Sequence, residues 1–104
     1  MGDIRAREIA AEIFGHMGGN NFLKKTGSYN LNYLVTEKGE VSLNMHLRKN
    51  SAMVKFLTIT INCSDQYDMI FRKKNLSVVK EYKGLYVSQL RGIFTYVTGL
   101  VTYL

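Results

Sequence analysis

The chain has no proline, no tryptophan and a single cysteine, Cys63. A lone thiol excludes an intramolecular disulfide and fits a reducing cytoplasm better than a secreted scaffold. The lack of proline suits closely spaced strands and short hairpins, since no strand loses a ladder donor. No apolar run approaches the roughly 18 residues that a bilayer-spanning helix needs, so no membrane partner is expected. The segment "MGDIRAREIA" holds no apolar signal core. It also departs from the myristoylation pattern, with Ala6 where Ser or Thr is required. The triplets "NCS" and "NLS" match glycosylation acceptors but carry no meaning without secretion. Internal repeats, linkers and low-complexity stretches are lacking as well.

The 104 residues give room for one domain, residues 1–104. A chain of this size buries roughly 60–70% of its unfolded surface, so its apolar residues must share one core. The apolar fraction of 46% argues against disorder. Seven tyrosines and five phenylalanines make up the aromatic set. Tyrosine, apolar in body and polar at its tip, suits core edges and interfaces. Fourteen Lys and Arg against eight Asp and Glu leave a net charge of +6. That charge attracts polyanions and says nothing about fold.

Asp3 is placed to cap a first helix. Ile9, Ala10, Ile13, Phe14 and Met17 then recur at helical spacing and predict one apolar face. Gly18 and Gly19 end it. Asn20 or Asn21 caps a shorter helix carrying Phe22, Leu23 and Thr26, which Gly27 closes. The stretch "GGNNFLKKTG" invites comparison with a phosphate-binding loop. Alignment of Lys25 and Thr26 with the lysine and hydroxyl of that motif puts Gly19 first, but places Lys24 where the second glycine must stand. That glycine lets the backbone approach phosphate, and the loop should follow a strand rather than a helix. Two helix stops are the better reading, and no cofactor is expected.

The middle of the chain alternates. In "VSLNMHLR", Val41, Leu43, Met45 and Leu47 point one way, and Ser42, Asn44, His46 and Arg48 the other. "YNLNYLVT" precedes it through a short "EKG" loop with Gly39 in the left-handed position. "NSA" leads into "MVKFLTITIN", whose apolar parity changes near Phe56 and Leu57 and predicts a β-bulge there. "CSDQ" and "KN" introduce "YDMIFRK" and "LSVVKEYKG". In "YVSQLRGIFTYVTG", Leu90, Ile93, Phe94 and Val97 form a last helical face ended by Gly99. Gly92 inside that helix points to close backbone packing. Short turns force antiparallel pairing. The expected fold is therefore α+β: an antiparallel meander of about five strands, with N-terminal and C-terminal helices packed on one face.

"GGNNFLKKTG", "QYDMIF", "EYKGLYVSQLRGIF" and "TGLVTYL", in that order and spacing, resemble a family of small uncharacterised bacteriophage and prophage proteins. The resemblance touches both ends and the late strands, and is loose over the first hairpin. It implies a phage-encoded protein acting in the cytoplasm of a bacterial host. The family brings no established activity and hence no catalytic residues.

Few residues suggest chemistry. His16, His46 and Cys63 have no metal-ligand spacing. Asp65 and Asp68 read as turn residues rather than a cation site. No catalytic or metal-binding residue is assigned, and the chain is read as non-enzymatic. Charge is more informative. In a meander the second and fourth turns share one end of the sheet, and these carry Arg48, Lys49, Arg72, Lys73 and Lys74. The first and third turns share the other, and carry Glu37, Glu40, Asp65 and Asp68, with Lys38 the exception. Lys24 and Lys25, on the short helix, are placed away from the basic rim. A basic end suits phosphate contacts. Asn44, His46, Thr58 and Thr60 on the polar face could touch single-stranded bases. The expected function is that of an accessory protein binding nucleic acid, or a nucleic-acid complex, through the basic end. The alternative is a protein-binding module, an inhibitor of a host or defence factor or a self-associating component. Its basis is the tyrosine count and the apolar tail "LVTYL", which either packs on its own core or forms an interface.

Overall fold

A computed structural model describes residues 3–50, 52–62 and 64–100. Cys63, Val101, Tyr103 and Leu104 lie outside the described residues, and so does the side chain of Asp3. The chain runs α1 (Asp3–Met17), α2 (Gly19–Thr26), β1 (Tyr29–Val35), β2 (Val41–His46), β3 (Phe56–Ile61), β4 (Tyr67–Arg72), β5 (Val78–Leu85), a single 3₁₀ turn (Val87–Gln89) and α3 (Leu90–Thr98). The strands form one antiparallel five-stranded sheet in the order β1-β2-β3-β4-β5.

The helical periodicity of α1 delivers Ala6, Ala10, Ile13 and Met17 to the interior, with Ile9 and Phe14 half-buried beside them. Ala6 extends the predicted face by one turn. The cap expected at Asn20 or Asn21 is instead Gly18, with φ 121°. Gly19 also has positive φ, at 59°. The glycine pair thus bends the chain within two residues, and α2 starts earlier than its asparagines suggest. Gly27 closes α2 in the left-handed conformation, its N–H bonded to the Leu23 carbonyl at 2.8 Å.

The strands alternate as the pleat requires. Val41, Leu43 and Met45 are buried from β2, Leu57 and Ile59 from β3, and Tyr67, Met69 and Phe71 from β4. Leu47 and Val54, which flank the β2–β3 connection, are buried too. The helices cover this face, where Phe22 of α2 meets Phe94 of α3 edge-on at 5.0 Å. Leu90 and Leu100 join the same cluster, so the first residue of the apolar tail packs on the chain's own core.

Three sequence expectations change. The bulge expected near Phe56 and Leu57 does not exist, because β3 keeps an unbroken register with both neighbours. The parity conflict dissolves because Val54 is buried from the preceding loop, whereas Phe56 opens the strand facing away from the helices. Register breaks occur on the outer strands instead, at Tyr29–Asn32 of β1 and at two places between β4 and β5. One of those is held by Asp68, whose carboxylate accepts from the Gly84 N–H at 3.0 Å. The single helix read in "YVSQLRGIFTYVTG" is divided, since Gln89 folds back to accept from the Tyr86 N–H at 2.8 Å and tightens the first turn. Lastly, Gly92 marks no close packing: beyond its own helix backbone and chain neighbours, a Cβ there would meet nothing within 4 Å.

That open space yields a prediction. Gly92→Ala should raise the unfolding free energy by about 0.5–1 kcal/mol, through lost backbone entropy in the unfolded chain and better helix propensity. A urea titration in which the midpoint falls would mean the site is closed in solution.

Candidate nucleic-acid interface

The second and fourth connections, residues 47–55 and 73–77, emerge from the same end of the meander. Each is built by an asparagine. Asn50 donates to the Arg48 and Val54 carbonyls at 2.9 and 2.8 Å, and accepts from the Val54 N–H at 3.1 Å. Asn75 accepts from the Ser77 N–H and hydroxyl at 3.1 and 2.7 Å. These bonds hold the described parts of both loops, and Arg48, Lys49, Lys73 and Lys74 are exposed there. Arg72 ends β4 opposite Phe56. Backbone bonds Leu47 N–H to Lys55 O and Lys55 N–H to Arg72 O, both 2.8 Å, tie the loop bases together. Arg48 and Lys73 thus start about two strand spacings apart, roughly 10 Å. Among the described residues none of these cations pairs with a carboxylate; the ion pairs found there are Arg5–Glu8 and Lys83–Glu81.

The same end holds further cations that the sequence did not assign to it. Gly27, just past α2, lies so close to Arg48 that a Cβ would come within 2.8 Å of its Cδ. Lys24 and Lys25 occupy the last turn of that helix, whose closing Gly27 meets Arg48, so the helix ends at the rim rather than away from it. Lys55 reaches across to Tyr29, bonding its hydroxyl and standing 4.7 Å from its ring centre.

The face of the sheet opposite the helices is not uniformly solvated. Ser42, expected to be a surface residue, is only 3% exposed and shares a 2.6 Å hydrogen bond with Thr60. Beside it, the Thr58 hydroxyl donates to Asn44 Oδ1 at 2.6 Å, and Asn44 Nδ2 donates to Asn32 Oδ1 at 3.4 Å. Nearer the basic end, a row crosses the sheet through the paired positions Tyr29–His46–Phe56–Arg72–Val78. Ring centres lie 5.3 Å apart for Tyr29 and His46, and 4.9 Å apart for His46 and Phe56. The sequence does not reveal this aromatic row, because the parity change at Phe56 leaves that ring without a clear face.

Next to the row is a depression of about 280 Å³, lined by Asn44, His46, Phe56, Thr58, Arg72 and Leu76 among others. Leu76 comes from the β4–β5 turn, 63% exposed, with φ 72°. Met53 in the neighbouring loop is 71% exposed, with φ 58°. Backbone in the left-handed region costs a non-glycine residue about 1–2 kcal/mol. Here it holds apolar side chains outward among the cations.

The opposite end differs. Residues 36–40 and 62–66 turn there, Gly39 having the left-handed φ of 81° expected of it. Glu40, Asp65 and, from α1, Glu12 surround a depression of about 260 Å³ that Arg5 also lines. The acidic end is thus mixed by Arg5 and Lys38. Asp68 is engaged by Gly84 and by Asn62, whose Nδ2 donates at 3.4 Å. Among the described residues no cluster of His, Cys, Asp and Glu could hold a metal ion. His16 packs edge-on to Tyr67 at 6.0 Å beneath α1, while His46 lies on the other face of the sheet, so the two cannot share a site. Thr26, the hydroxyl of the phosphate-loop comparison, is buried and donates to the Phe22 carbonyl at 2.7 Å.

Among the described residues, Tyr67 is the side chain with a clear proton-affinity shift. Burial, then the charges of Glu12 and Asp65, raise its phenol above the ordinary 10.0. A raised folded value means the neutral form is favoured by folding. Its contribution is complete below pH 10.0 and is lost as pH climbs through the folded value. Tyr67→Phe should flatten the alkaline limb of stability above that pH, checked by urea midpoints across the alkaline range. An unchanged limb would assign it to other groups.

Comparison with protein-family models, with curated proteins and with solved structures finds no match. Among the described residues no helix is long and apolar enough to cross a membrane.

Proposed function

We propose that this chain is a non-enzymatic accessory protein of bacteriophage type that binds nucleic acid, or a nucleic-acid complex, through the basic end of its sheet in the bacterial cytoplasm. The observation that carries this reading is the gathering of Arg48, Lys49, Arg72, Lys73 and Lys74 on one end of the meander without carboxylate partners among the described residues. Unpaired cations spaced along a rim release counterions when they meet phosphates, which supplies affinity without sequence preference. Lys24, Lys25 and Lys55 enlarge that rim. The test is binding of an oligonucleotide across a salt series, with the rim charges reversed.

A second reading, a protein-binding module, is favoured by the exposure of Tyr86, Val87 and Tyr96 at 66%, 44% and 80% on the C-terminal elements. Exposed tyrosines are common anchors of protein interfaces. Salt-insensitive association would support it over the first.

A further inference from the structure

We infer that the ligand of the basic end is a single strand, whose bases stack on the open sheet over Tyr29, His46 and Phe56 while its phosphates follow the loop cations. This inference rests on the nucleic-acid reading above and narrows it. The rings stand on three consecutive strands, at the centre spacings that pleated pairing imposes. Tyr29 is 41% exposed, and His46 and Phe56 are half-buried. A duplex keeps its base faces stacked inside, so an aromatic row offers it nothing. A single strand presents those faces, and stacking on aromatic side chains is tolerant of sequence. Arg72 continues the row beyond Phe56, adding a planar cation that both stacks and meets phosphate. The row runs beside the basic loops, so a strand laid across it keeps its backbone within reach of Arg48 and Lys73.

Two further features fit the same ligand. Met53 and Leu76 are held outward by left-handed backbone in the two loops that carry the cations. Outward apolar tips of this kind lose water on meeting the exposed face of an unstacked base. Leu76 also walls the depression beside Phe56 and Arg72, where Asn44 and Thr58 line the floor. Those polar groups are already bonded to one another, which suits a floor that tolerates any base rather than one that reads a sequence.

The experiment compares an oligothymidylate of about twelve nucleotides with the matching duplex of thymidylate and adenylate, at about 50 mM salt and above, by fluorescence anisotropy. The wild type should bind the single strand at least about tenfold more tightly than the duplex. Tyr29→Leu and Phe56→Leu keep apolar bulk and remove the ring. Each should weaken single-strand binding about tenfold; Phe56→Leu should leave the salt slope and the duplex affinity unchanged, whereas Tyr29→Leu also releases Lys55 and is read on single-strand affinity alone. Urea midpoints check folding, and the more exposed Tyr29 site serves if Phe56→Leu is destabilised. Because tryptophan is absent, tyrosine emission reports directly, and its quenching by oligothymidylate should shrink in Tyr29→Leu. Equal or tighter duplex binding, with both leucine variants neutral, overturns the stacking inference and leaves the basic-end reading standing. Failure of every oligonucleotide to bind overturns both. Binding of anionic phospholipid vesicles but of no oligonucleotide would do the same, and would assign Met53 and Leu76 to lipid.

Discussion

Phe94→Ala should lower the unfolding free energy by about 3–5 kcal/mol, a large share of the roughly 5–15 kcal/mol that holds a domain of this size together. Phe94 and Phe22 are both fully buried and meet edge-on at 5.0 Å. The contact joins α2 to α3, elements far apart in the sequence, over the buried side chains of the sheet. Truncation removes buried apolar surface and leaves a cavity between α2, α3 and the sheet, and both losses add to the cost. Tyr96, two residues on, is 80% exposed, and Tyr96→Ala should change stability by no more than about 0.5 kcal/mol. Urea titrations of the two variants decide the matter. Equal losses would mean that α3 is docked in another rotation.

The second large effect is on binding. Reversal of Arg72, Lys73 and Lys74 to glutamate should abolish most of the affinity for an oligonucleotide at moderate salt. If about four rim cations neutralise phosphates, log affinity falls with log salt at a slope near −2.8 for a single strand and −3.6 for a duplex. The reversed protein should lose most of that slope. Three such replacements remove six units of charge and take the net charge from +6 to 0. A control must match that change at a distance. Lys24 and Lys25 cannot serve, since their helix ends against Arg48. Arg5 and Lys38, from the acidic end, and Lys83, from β5, can, because none of them lies on the basic loops. Their reversal should retain most of the slope. If the two triple variants lose affinity alike, binding follows net charge and there is no localised site. If the wild type fails to bind at about 50 mM salt, the reading falls and the protein-partner reading replaces it.

Much of the architecture was legible because local rules agree along this chain. Val41, Leu43 and Met45 announce a half-buried strand by parity alone, and Gly39 announces its turn by the conformation a hairpin needs. The meander follows from short connections, and with it the convergence of Arg48 and Lys73. What could not be read depends on register. Tyr29, His46 and Phe56 belong to separate strands, and only the pairing Tyr29–His46 and His46–Phe56 makes them neighbours. Phe56 was obscured because Val54, buried from a loop, mimics a strand residue of the same parity. Lys24 and Lys25 were misplaced for a related reason: the direction of α2 relative to the sheet is set by tertiary packing of Phe22, which no local pattern encodes. Asn50, Asn62 and Asn75 are ordinary turn residues by type, yet the groups they bond become visible only once the loops are folded.

The sheet also has two outer strands, β1 and β5, each paired with one neighbour among the described strands. A long, flat outer strand is a template on which further chains can add and grow into aggregates. Neither strand here offers one. Asn30, with φ 52°, breaks the run of β1 near its start. In β5 the ladder is interrupted towards both ends, and Lys80 and Lys83 are exposed along it. Any chain pairing there would have to reproduce those interruptions and crowd the exposed Lys80 and Lys83 side chains. The irregularities that spoil the alternation of these strands in the sequence therefore guard the folded protein against self-templated fibre growth.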